Sequence, residues 1–389
     1  MTMRTAGDFD VAVVGAGPAG AATARRLARA GCAVVLLERS RFEAPRAGES
    51  LAPATRPLLE ELGVWRQFAA LSPLPSYGTR SIWGSPDEHG HSHMAGPYGC
   101  GWHVDRPSFD RMLAGAAADA GADLRCGTAG LGCVRLQDGR WQITCVERDR
   151  ASPVVVRARV LVDATGRAAH LARRLGASRV VIDRLVGVAV SHCEADVSAE
   201  GYVLVETTPH GWWYSAPAGG DRMITMLMTD ADICRQYGIA APEPWQEMLG
   251  EAPATAARVA TGEPRPVVWG PRVFPALSQR LRRTAYDTPW IAAGDAALAV
   301  DPISGSGVVR ALRSGRAAAE TALTLLGGDA YVETHHAVRA YEVARDKERA
   351  DYLRERADYY AMERRWAAHP FWRRRRPRTG GPGGDPPGP

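Results

Sequence analysis

The chain has 389 residues, of which 46% are hydrophobic, and this length allows one or two domains with a large buried core. Its formal net charge is +5, but residues 373–389 hold five arginines and one aspartate, so the rest of the chain carries little net charge. This distribution predicts a disordered basic tail rather than a nucleic-acid groove. No apolar run is long enough to span a bilayer and the N-terminus shows no signal-peptide pattern, so we expect a cytoplasmic protein without a membrane partner.

A β-turn-α-β unit is predicted near the start of the chain. Residues 10–15 form an apolar run, residues 18–30 are rich in alanine, and residues 32–38 form a second apolar run that ends at Glu38. The sequence GAGPAG, from Gly15 to Gly20, separates the first strand from the helix with the G-x-G-x-x-G spacing of a dinucleotide-binding turn.

Each glycine of this turn has a predicted task. Gly15 permits the tight turn, Gly17 lets the backbone approach a pyrophosphate, and Gly20 lets the helix and strand pack closely. The helix N-terminus offers free N–H groups and the positive end of its dipole to the phosphates. Glu38 follows Gly15 at about the spacing expected of an acidic residue that binds a ribose.

Later segments predict two sheets. The apolar runs at residues 159–166 and 289–297 are expected to join the first strand in one parallel sheet. Residues 131–147 predict a hairpin that turns at Asp138-Gly139. A second, antiparallel sheet is predicted from the alternating runs at residues 187–194, 202–206, 211–217 and 221–229.

Cysteine and histidine spacing gives no metal site. The seven cysteines include no C-x-x-C pair and their number is odd, which disfavours both a disulfide framework and a zinc site. The stretch HGHSHM contains His89, His91 and His93, but its flanks are Gly, Ser and Pro. We therefore predict a solvated loop there and no bound metal.

Four motifs in chain order resemble the flavoprotein monooxygenase superfamily, which includes aromatic hydroxylases and flavin-dependent halogenases. They are GAGPAG, the DRPSFDRML segment that contains Arg106, DATG at residues 163–166, and GDAALAVDPISGSGV at residues 294–308. The resemblance implies non-covalently bound FAD. It also implies that Asp295 holds the ribityl chain and that the segment from Pro302 to Val308 lies beside the flavin ring.

A helix that begins near Ser306 would direct its N–H groups at the N1–C2=O edge of the flavin and favour the negative charge of the reduced form. The complete set of residues predicted to bind FAD is Gly15, Gly17, Ala19, Gly20, Glu38, Arg39, Arg46, Ser50, Arg106, Asp163, Gly166, Gly294, Asp295, Pro302, Gly305, Ser306, Gly307 and Val308.

Three further stretches, at residues 46–64, 206–220 and 359–376, resemble the LodB/GoxB-like flavoproteins. Those are maturation enzymes that oxidise a tryptophan of a partner oxidase. The resemblance implies an FAD-dependent monooxygenase that hydroxylates an electron-rich ring through a flavin C4a-hydroperoxide, with O2 as co-substrate. The ring would belong to a small aromatic molecule or to a tryptophan of a peptide or partner protein. Because the chain has no second G-x-G-x-x-G, electrons would come from transiently bound NAD(P)H or from a separate reductase.

Three alternatives remain open. Halogenases of the superfamily carry W-x-W-x-I-P, which Trp212 to Pro217 matches only in part, and they need a lysine near the flavin. The only lysine here is Lys347, after every flavin motif, and arginine is too poor a nucleophile to replace it. An FAD-dependent reductase of the isoprenoid type would need no oxygen. A flavin-binding partner protein without turnover is the third alternative.

The candidates for the reaction cavity are Glu49, His103, Trp212 and Trp213. Adjacent strand residues point to opposite faces, so we expect only one of the two tryptophans to face the flavin. For Glu49 the alternative is a charge at the N-terminus of the following helix, and for His103 it is a hydrogen-bonded structural role. The sequence assigns no general base.

The predicted fold is α/β, with a Rossmann-like FAD-binding domain of the aromatic-hydroxylase type, an inserted antiparallel substrate domain and a C-terminal helical block. The FAD-binding domain is predicted to be discontinuous, at residues 8–80, 101–175 and 280–330, and the substrate domain to comprise residues 81–100 and 176–279. Residues 331–372 are predicted to be helical and residues 373–389 to be a disordered tail.

Overall fold

The structure is a computed structural model that describes residues 4–150, 152–193, 201–259, 266–327 and 331–376. Its strands are β1 Arg4–Val14, β2 Val34–Glu38, β3 Ser50–Leu51, β4 Leu74–Ser76, β5 Gly78–Ile82, β6 His89–Ser92, β7 Gly101–His103, β8 Asp123–Cys126, β9 Thr128–Arg135, β10 Trp141–Glu147, β11 Val154–Asp163, β12 Ser178–Val181, β13 Leu185–Cys193, β14 Tyr202–Thr208, β15 Gly211–Pro217, β16 Arg222–Asp230, β17 Val267–Pro275, β18 Gln279–Arg282, β19 Trp290–Ala292 and β20 Leu298–Ala299.

Its helices are α1 Pro18–Arg29, α2 Thr55–Leu62, α3 Trp65–Ala70, α4 Arg106–Asp119, α5 His170–Arg174, α6 Ala231–Gln236, α7 Pro242–Gly250, α8 Pro253–Val259, α9 Gly307–Gly327, α10 Tyr331–Met362 and α11 Pro370–Arg373. Short 3₁₀ turns occur at Gly166–Ala168, Gly294–Ala296 and Pro302–Ser304. Within the described ranges, no helix combines the length and the apolar character that crossing a membrane requires.

The first sheet has the order β8-β2-β1-β11-β10-β9, with β19 also paired to β11. The pairs that join β8, β2, β1, β11 and β19 are parallel, whereas β9 and β10 form an antiparallel hairpin beside them. Both faces are covered, since Val11 and Val13 pack into one core cluster and Ala12 and Val14 into another. The prediction that three distant apolar runs share one parallel sheet is therefore confirmed.

The second sheet has the order β17-β13-β16-β15-β14-β5-β6 and is antiparallel except for the parallel pair of β14 with β5. One face carries Trp212 and the aromatic residues of the C-terminal helices. The other face carries Trp213 and helix α7. Strands from residues 78–92 thus join strands from residues 185–275, and the exact domain boundaries given by the sequence stay predictions.

The basic cluster Arg373–Arg376 corrects the prediction of where the tail begins. Arg375 lies 2.6 Å from Asp230 and its side chain is 2% exposed, and Arg374 contacts both Asp230 and Asp232. The prediction of disorder is therefore wrong for residues 373–376, because acidic partners on β16 and α6 fix these arginines. Residues 377–389, the rest of the predicted tail, lie outside the described residues.

Candidate flavin site

The glycine-rich turn between β1 and α1 separates structural glycines from one that leaves space. Gly15 has a φ of +103°, and a Cβ there would lie 2.2 Å from the Ala164 carbonyl oxygen. A Cβ on Gly20 would lie 1.8 Å from the carbonyl oxygen of Gly15. A Cβ on Gly17 would meet no described atom within 4 Å, so the turn is open where a phosphate is predicted.

Glu38, at the end of β2, binds this turn directly. Its Oε2 accepts a hydrogen bond of 2.9 Å from the backbone N–H of Ala16, and its Oε1 accepts one from Ser40 N at 3.0 Å. Arg46 lies 3.1 Å from the same Oε1. Oε1 also accepts from Ser40 Oγ at 2.6 Å, so the capacity left for a ribose hydroxyl is the second lone pair of Oε2. Arg39, which the sequence predicts to bind FAD, directly follows Glu38 and is exposed.

Arg46 and Arg106 converge on Asp110, a residue that the sequence reading missed. Asp110 is 1% exposed, and its carboxylate lies 2.7 Å from Arg46 and 3.2 Å from Arg106. Arg106 also donates to the carbonyl oxygen of Ala47 at 2.6 Å. The available signal was the i,i+4 spacing of Arg106 and Asp110 on one helix. This network holds the loop of residues 46–49 against α4.

Asp163, which the sequence predicts to bind FAD, instead binds backbone N–H groups close to it in the chain. Its Oδ1 accepts from Thr165 N at 2.9 Å and its Oδ2 from Ala172 N at 2.7 Å, and the residue is 1% exposed. Gly166 has a φ of +68°, and a Cβ there would meet no described atom within 4 Å. Asp163 therefore shapes the loop, whereas Gly166 leaves open space beside it.

Asp295 lies in the turn after β19 and pairs with an arginine that was not predicted. Arg167 Nη1 is 2.7 Å from Asp295 Oδ2. The preceding Gly294 donates its N–H to Ser314 Oγ at 2.8 Å, and a Cβ there would lie 2.7 Å from Cβ of Ala19. Arg167 directly follows the DATG motif, so the two motifs that contain Asp163 and Asp295 meet in space.

The segment from Pro302 to Val308 forms a 3₁₀ turn that leads into the 21-residue helix α9. Gly305 has a φ of +57°, and a Cβ on Gly305 or Gly307 would meet no described atom within 4 Å. Ser306 Oγ donates to Ser304 Oγ at 2.9 Å, and Val308 packs against the cluster below. The N-terminus of α9 thus begins where the sequence predicts it, next to open space.

Asp301, just before this segment, is a second residue that the sequence reading missed. It is 0% exposed, its Oδ1 accepts from Ile303 N at 3.0 Å, and its Oδ2 accepts from Tyr360 OH at 2.7 Å. Arg356 lies 3.4 Å from Oδ2. Burial raises the pKa of Asp301, and the Arg356 guanidinium opposes that effect. Helix α10 therefore holds the start of the predicted flavin segment.

A polar chain links the loop of residues 46–50 to the second sheet. Ser50 Oγ lies 2.9 Å from His103 Nδ1 and 2.7 Å from Tyr214 OH. Burial lowers the pKa of His103 to about 3, so its imidazole is neutral at physiological pH. Beside this chain lies Glu49, which is 4% exposed. Two of the predicted cavity candidates, Glu49 and His103, are thus brought together.

Trp212 and Trp213 lie on opposite faces of β15, as strand alternation predicts. Trp212 is 2% exposed, donates its indole N–H to Tyr360 OH at 3.1 Å, and packs in the cluster that includes Ala47 and Ile303. Trp213 is 0% exposed and packs edge-on against Trp245, with ring centroids 5.2 Å apart. Trp212 therefore shares the face of the two predicted flavin segments, and Trp213 lies in a separate core.

The lysine and the histidines that the sequence singles out lie at or near the surface. Lys347, the only lysine of the chain, is exposed on α10. His89, His91 and His93 lie on or next to the exposed edge strand β6. Among residues 4–150, 152–193, 201–259, 266–327 and 331–376, no group of three or more His, Cys, Asp or Glu side chains could hold a metal ion.

The parallel sheet, the open glycine turn with its bound Glu38, and two loops that end at helix N-termini fit the dinucleotide FAD. The fold and the site define an FAD-dependent oxidoreductase. The chain belongs to the FAD binding domain family, which matches residues 8–348.

The chain is similar to individual proteins of known sequence or structure. The chain is 32% identical over 372 residues to LodB of Marinomonas mediterranea, a protein named as an FAD-dependent oxidoreductase, with 94% of this chain and 96% of LodB covered. Its fold is similar to that of the myxobacterial chondrochloren halogenase CndH, with a TM-score of 0.85, 22% identity and coverage of 96% and 86%. It is also similar to the peptidyl tryptophan dihydroxylase QhpG, with a TM-score of 0.73, 24% identity and coverage of 95% and 79%. The chain is therefore an FAD-dependent oxidoreductase, and its fold is similar to the folds of a halogenase and a tryptophan dihydroxylase.

Proposed function

We propose that this protein hydroxylates an electron-rich aromatic ring, and that the ring is a tryptophan side chain of a peptide or partner protein. The observation that carries the proposal is the absence of any lysine other than the exposed Lys347, together with the similarity to LodB. Without a lysine amine at the site, the chain has no group to carry an activated halogen. The atom added to the aromatic ring is then oxygen and not a halogen.

The FAD-binding residues are those of the four motifs. The backbone at Gly17 would receive the pyrophosphate, Glu38 the ribose, and Asp295 the ribityl chain. The N-terminus of α9 would face the pyrimidine edge of the ring system. When bound and reduced, FAD supplies the activation of O2, and the electrons come from NAD(P)H or a separate reductase.

The other residues bind and orient the aromatic substrate and exclude water. Trp212, Tyr214 and Ile303 share one cluster between the second sheet and the segment after Asp301. This apolar face would hold the substrate ring against the flavin and keep water away from the reactive oxygen. A small aromatic molecule could occupy the same face, so the choice of a peptide rests on the similarity to LodB and QhpG.

The test is mass spectrometry of the products formed from tryptophan-containing peptides by the FAD-loaded protein with a flavin reductase, NAD(P)H and labelled oxygen. We expect one or more labelled oxygen atoms in the indole ring and no bromine when bromide is added. Halogenation is the second candidate, favoured by the fold similarity to CndH, and a brominated product would establish it. Turnover under anaerobic conditions would instead indicate a reductase.

A further inference from the structure

Glu49 differs from the other buried acids of the described chain. The others are paired with an arginine or accept at least two hydrogen bonds; they are Glu38, Asp110, Asp163, Glu206, Asp230, Asp301, Glu342 and Glu363. Glu49 accepts one hydrogen bond from another residue, from Gly48 N to its Oε2 at 3.0 Å. Among the described residues, no cation lies within 4 Å of its carboxyl group and no other residue donates to Oε1.

The position of Glu49 places this carboxyl group between the two parts of the proposed site. Its loop is held on the flavin side, where Arg106 donates to the carbonyl oxygens of Ala47 and Gly48. On the other side is Tyr214 of β15, whose pKa is raised chiefly by burial and also by the charge of Glu49. Ala47, Tyr214 and Trp212 belong to one cluster. Glu49 therefore borders the face on which the substrate ring would lie.

The neighbouring polar groups cannot do the work of a base. The hydroxyl group of Ser50 is hydrogen-bonded to both His103 and Tyr214. The pKa of His103 is about 3, so its imidazole is too weak a base to take the proton. Burial raises the pKa of Tyr214, so its phenol keeps its proton. Burial also raises the pKa of Glu49, while its own backbone N–H and the more distant Arg106 and Arg222 favour its charged form. Glu49 is thus the titratable group left to accept a proton from a ligand.

We propose that Glu49 recognises the ring N–H of the substrate and takes its proton as oxygen is added to the ring. This inference rests on the proposed function. The indole N–H would donate to the carboxyl group. As an electron pair of the ring forms the new carbon–oxygen bond, the N–H proton passes to the Glu49 carboxylate. It returns to the ring nitrogen when the ring carbon that received the oxygen releases its own proton, which is used to form the water. Overall, one atom of O2 enters the ring, the other leaves as water, and reduced flavin supplies the two electrons and two protons.

The test uses two probes, N-acetyltryptophanamide and its 1-methylindole analogue, titrated against the oxidised, FAD-loaded protein. Binding is followed by the change in the visible flavin spectrum, which does not require turnover. We expect the wild type to bind the N–H probe about tenfold more tightly than the methylated probe, the difference that one hydrogen bond to a charged acceptor gives. Glu49→Met, which has a similar shape and no acceptor, should lose this preference.

Glu49→Gln separates recognition from proton transfer. Its amide oxygen still accepts an N–H, so it should keep most of the binding preference, but its turnover should no longer rise with pH as a base loses its proton. Both variants should bind FAD as the wild type does. A wild type without the preference, a Glu49→Met variant that keeps it, or a loss of FAD in either variant would overturn the proposal. Oxygen insertion is measured separately by product mass, so failure of the proposed function is distinguishable.

Discussion

Asp301 and Glu49 are both buried acids that border the proposed flavin site, but their carboxyl groups differ in the number of direct partners. Asp301 accepts hydrogen bonds from Ile303 N and Tyr360 OH and faces Arg356, whereas the one neighbour that donates to Glu49 is the N–H of Gly48. Burying a carboxylate is costly unless hydrogen bonds or a cation compensate it. The compensated acid therefore maintains the structure, and the uncompensated acid is available to a ligand.

The partners of Asp301 also explain the role of the C-terminal helices. Tyr352 OH accepts the backbone N–H of Asp301 at 3.0 Å, and Tyr360 OH accepts the indole N–H of Trp212 at 3.1 Å. Both tyrosines lie on α10. This helix thus joins the predicted flavin segment to the second sheet, and the geometry of the site depends on contacts made far along the chain.

The largest effect is expected from removing the compensated acid. Asp301→Ala would leave the hydroxyl of Tyr360, the N–H of Ile303 and part of the charge of Arg356 without their partner. We expect a loss of about 3–5 kcal/mol in the free energy of unfolding, the range for breaking a buried charge pair. Urea denaturation of the apoprotein measures it. A loss below about 1 kcal/mol would show that the network is not the support we describe.

The second prediction compares two glycines of the same turn, Gly17, which faces open space, and Gly15, which faces protein atoms. Gly17→Ala should weaken FAD binding by about 1–3 kcal/mol, since the added methyl group occupies the space of the ligand but meets no described protein atom. The stability of the apoprotein should be unchanged. FAD fluorescence titration and urea denaturation give the two values.

Two controls accompany this substitution. Gly115→Ala, on α4, also meets no described atom within 4 Å and should leave FAD binding intact. Gly15→Ala should instead destabilise the apoprotein, because its Cβ collides with the Ala164 carbonyl oxygen and its φ is +103°. If Gly17→Ala binds FAD normally, the pyrophosphate does not lie at this turn.

The effect expected from substituting Asp295 is intermediate in size, because its carboxylate is shared between Arg167 and the expected ligand FAD. Asp295→Ala should weaken FAD binding by about 1.5–3 kcal/mol through loss of a hydrogen bond from a ribityl hydroxyl to a charged acceptor. Arg167→Gln is the control, because it removes the ion pair and keeps the carboxylate. An unchanged FAD dissociation constant in Asp295→Ala would remove this residue from the site.

The parts of the molecule that the sequence predicted are those encoded locally. The turn from Gly15 to Gly20 and the alternating strands of the second sheet follow from periodicity and short motifs. Their bounds agree with the structure to within a few residues, except that β1 begins earlier at Arg4 and β11 at Val154.

The parts that were missed depend on pairs distant in sequence. Asp301 meets Tyr360 at a separation of 59 positions, and Arg375 meets Asp230 at a separation of 145. Composition alone made the run of arginines look like the start of a disordered tail, because nothing near it in sequence shows the acidic partners. No short-range pattern distinguishes Glu49 from an ordinary helix-terminal charge either. What distinguishes Glu49 is the fold, because among the described residues only the N–H of Gly48 comes from another residue to its carboxyl group and no cation pairs with it.

The smallest effect is expected from the uncompensated acid, and its sign depends on pH. Burial raises the pKa of Glu49 in the folded state, so above the usual pKa of glutamate the folded protein holds a proton that the unfolded chain has released. Stability therefore falls as the pH rises from the unfolded pKa to the folded one. Glu49→Gln has no proton to lose, so its stability relative to the wild type should grow over that window and then level off.

Urea denaturation of both proteins from pH 4 to about 8 measures the difference. A wild type that gains stability relative to Glu49→Gln as the pH rises would mean that hydrogen bonds and nearby charges outweigh burial at the Glu49 carboxylate, and Glu49 would not be the uncompensated acid that we describe.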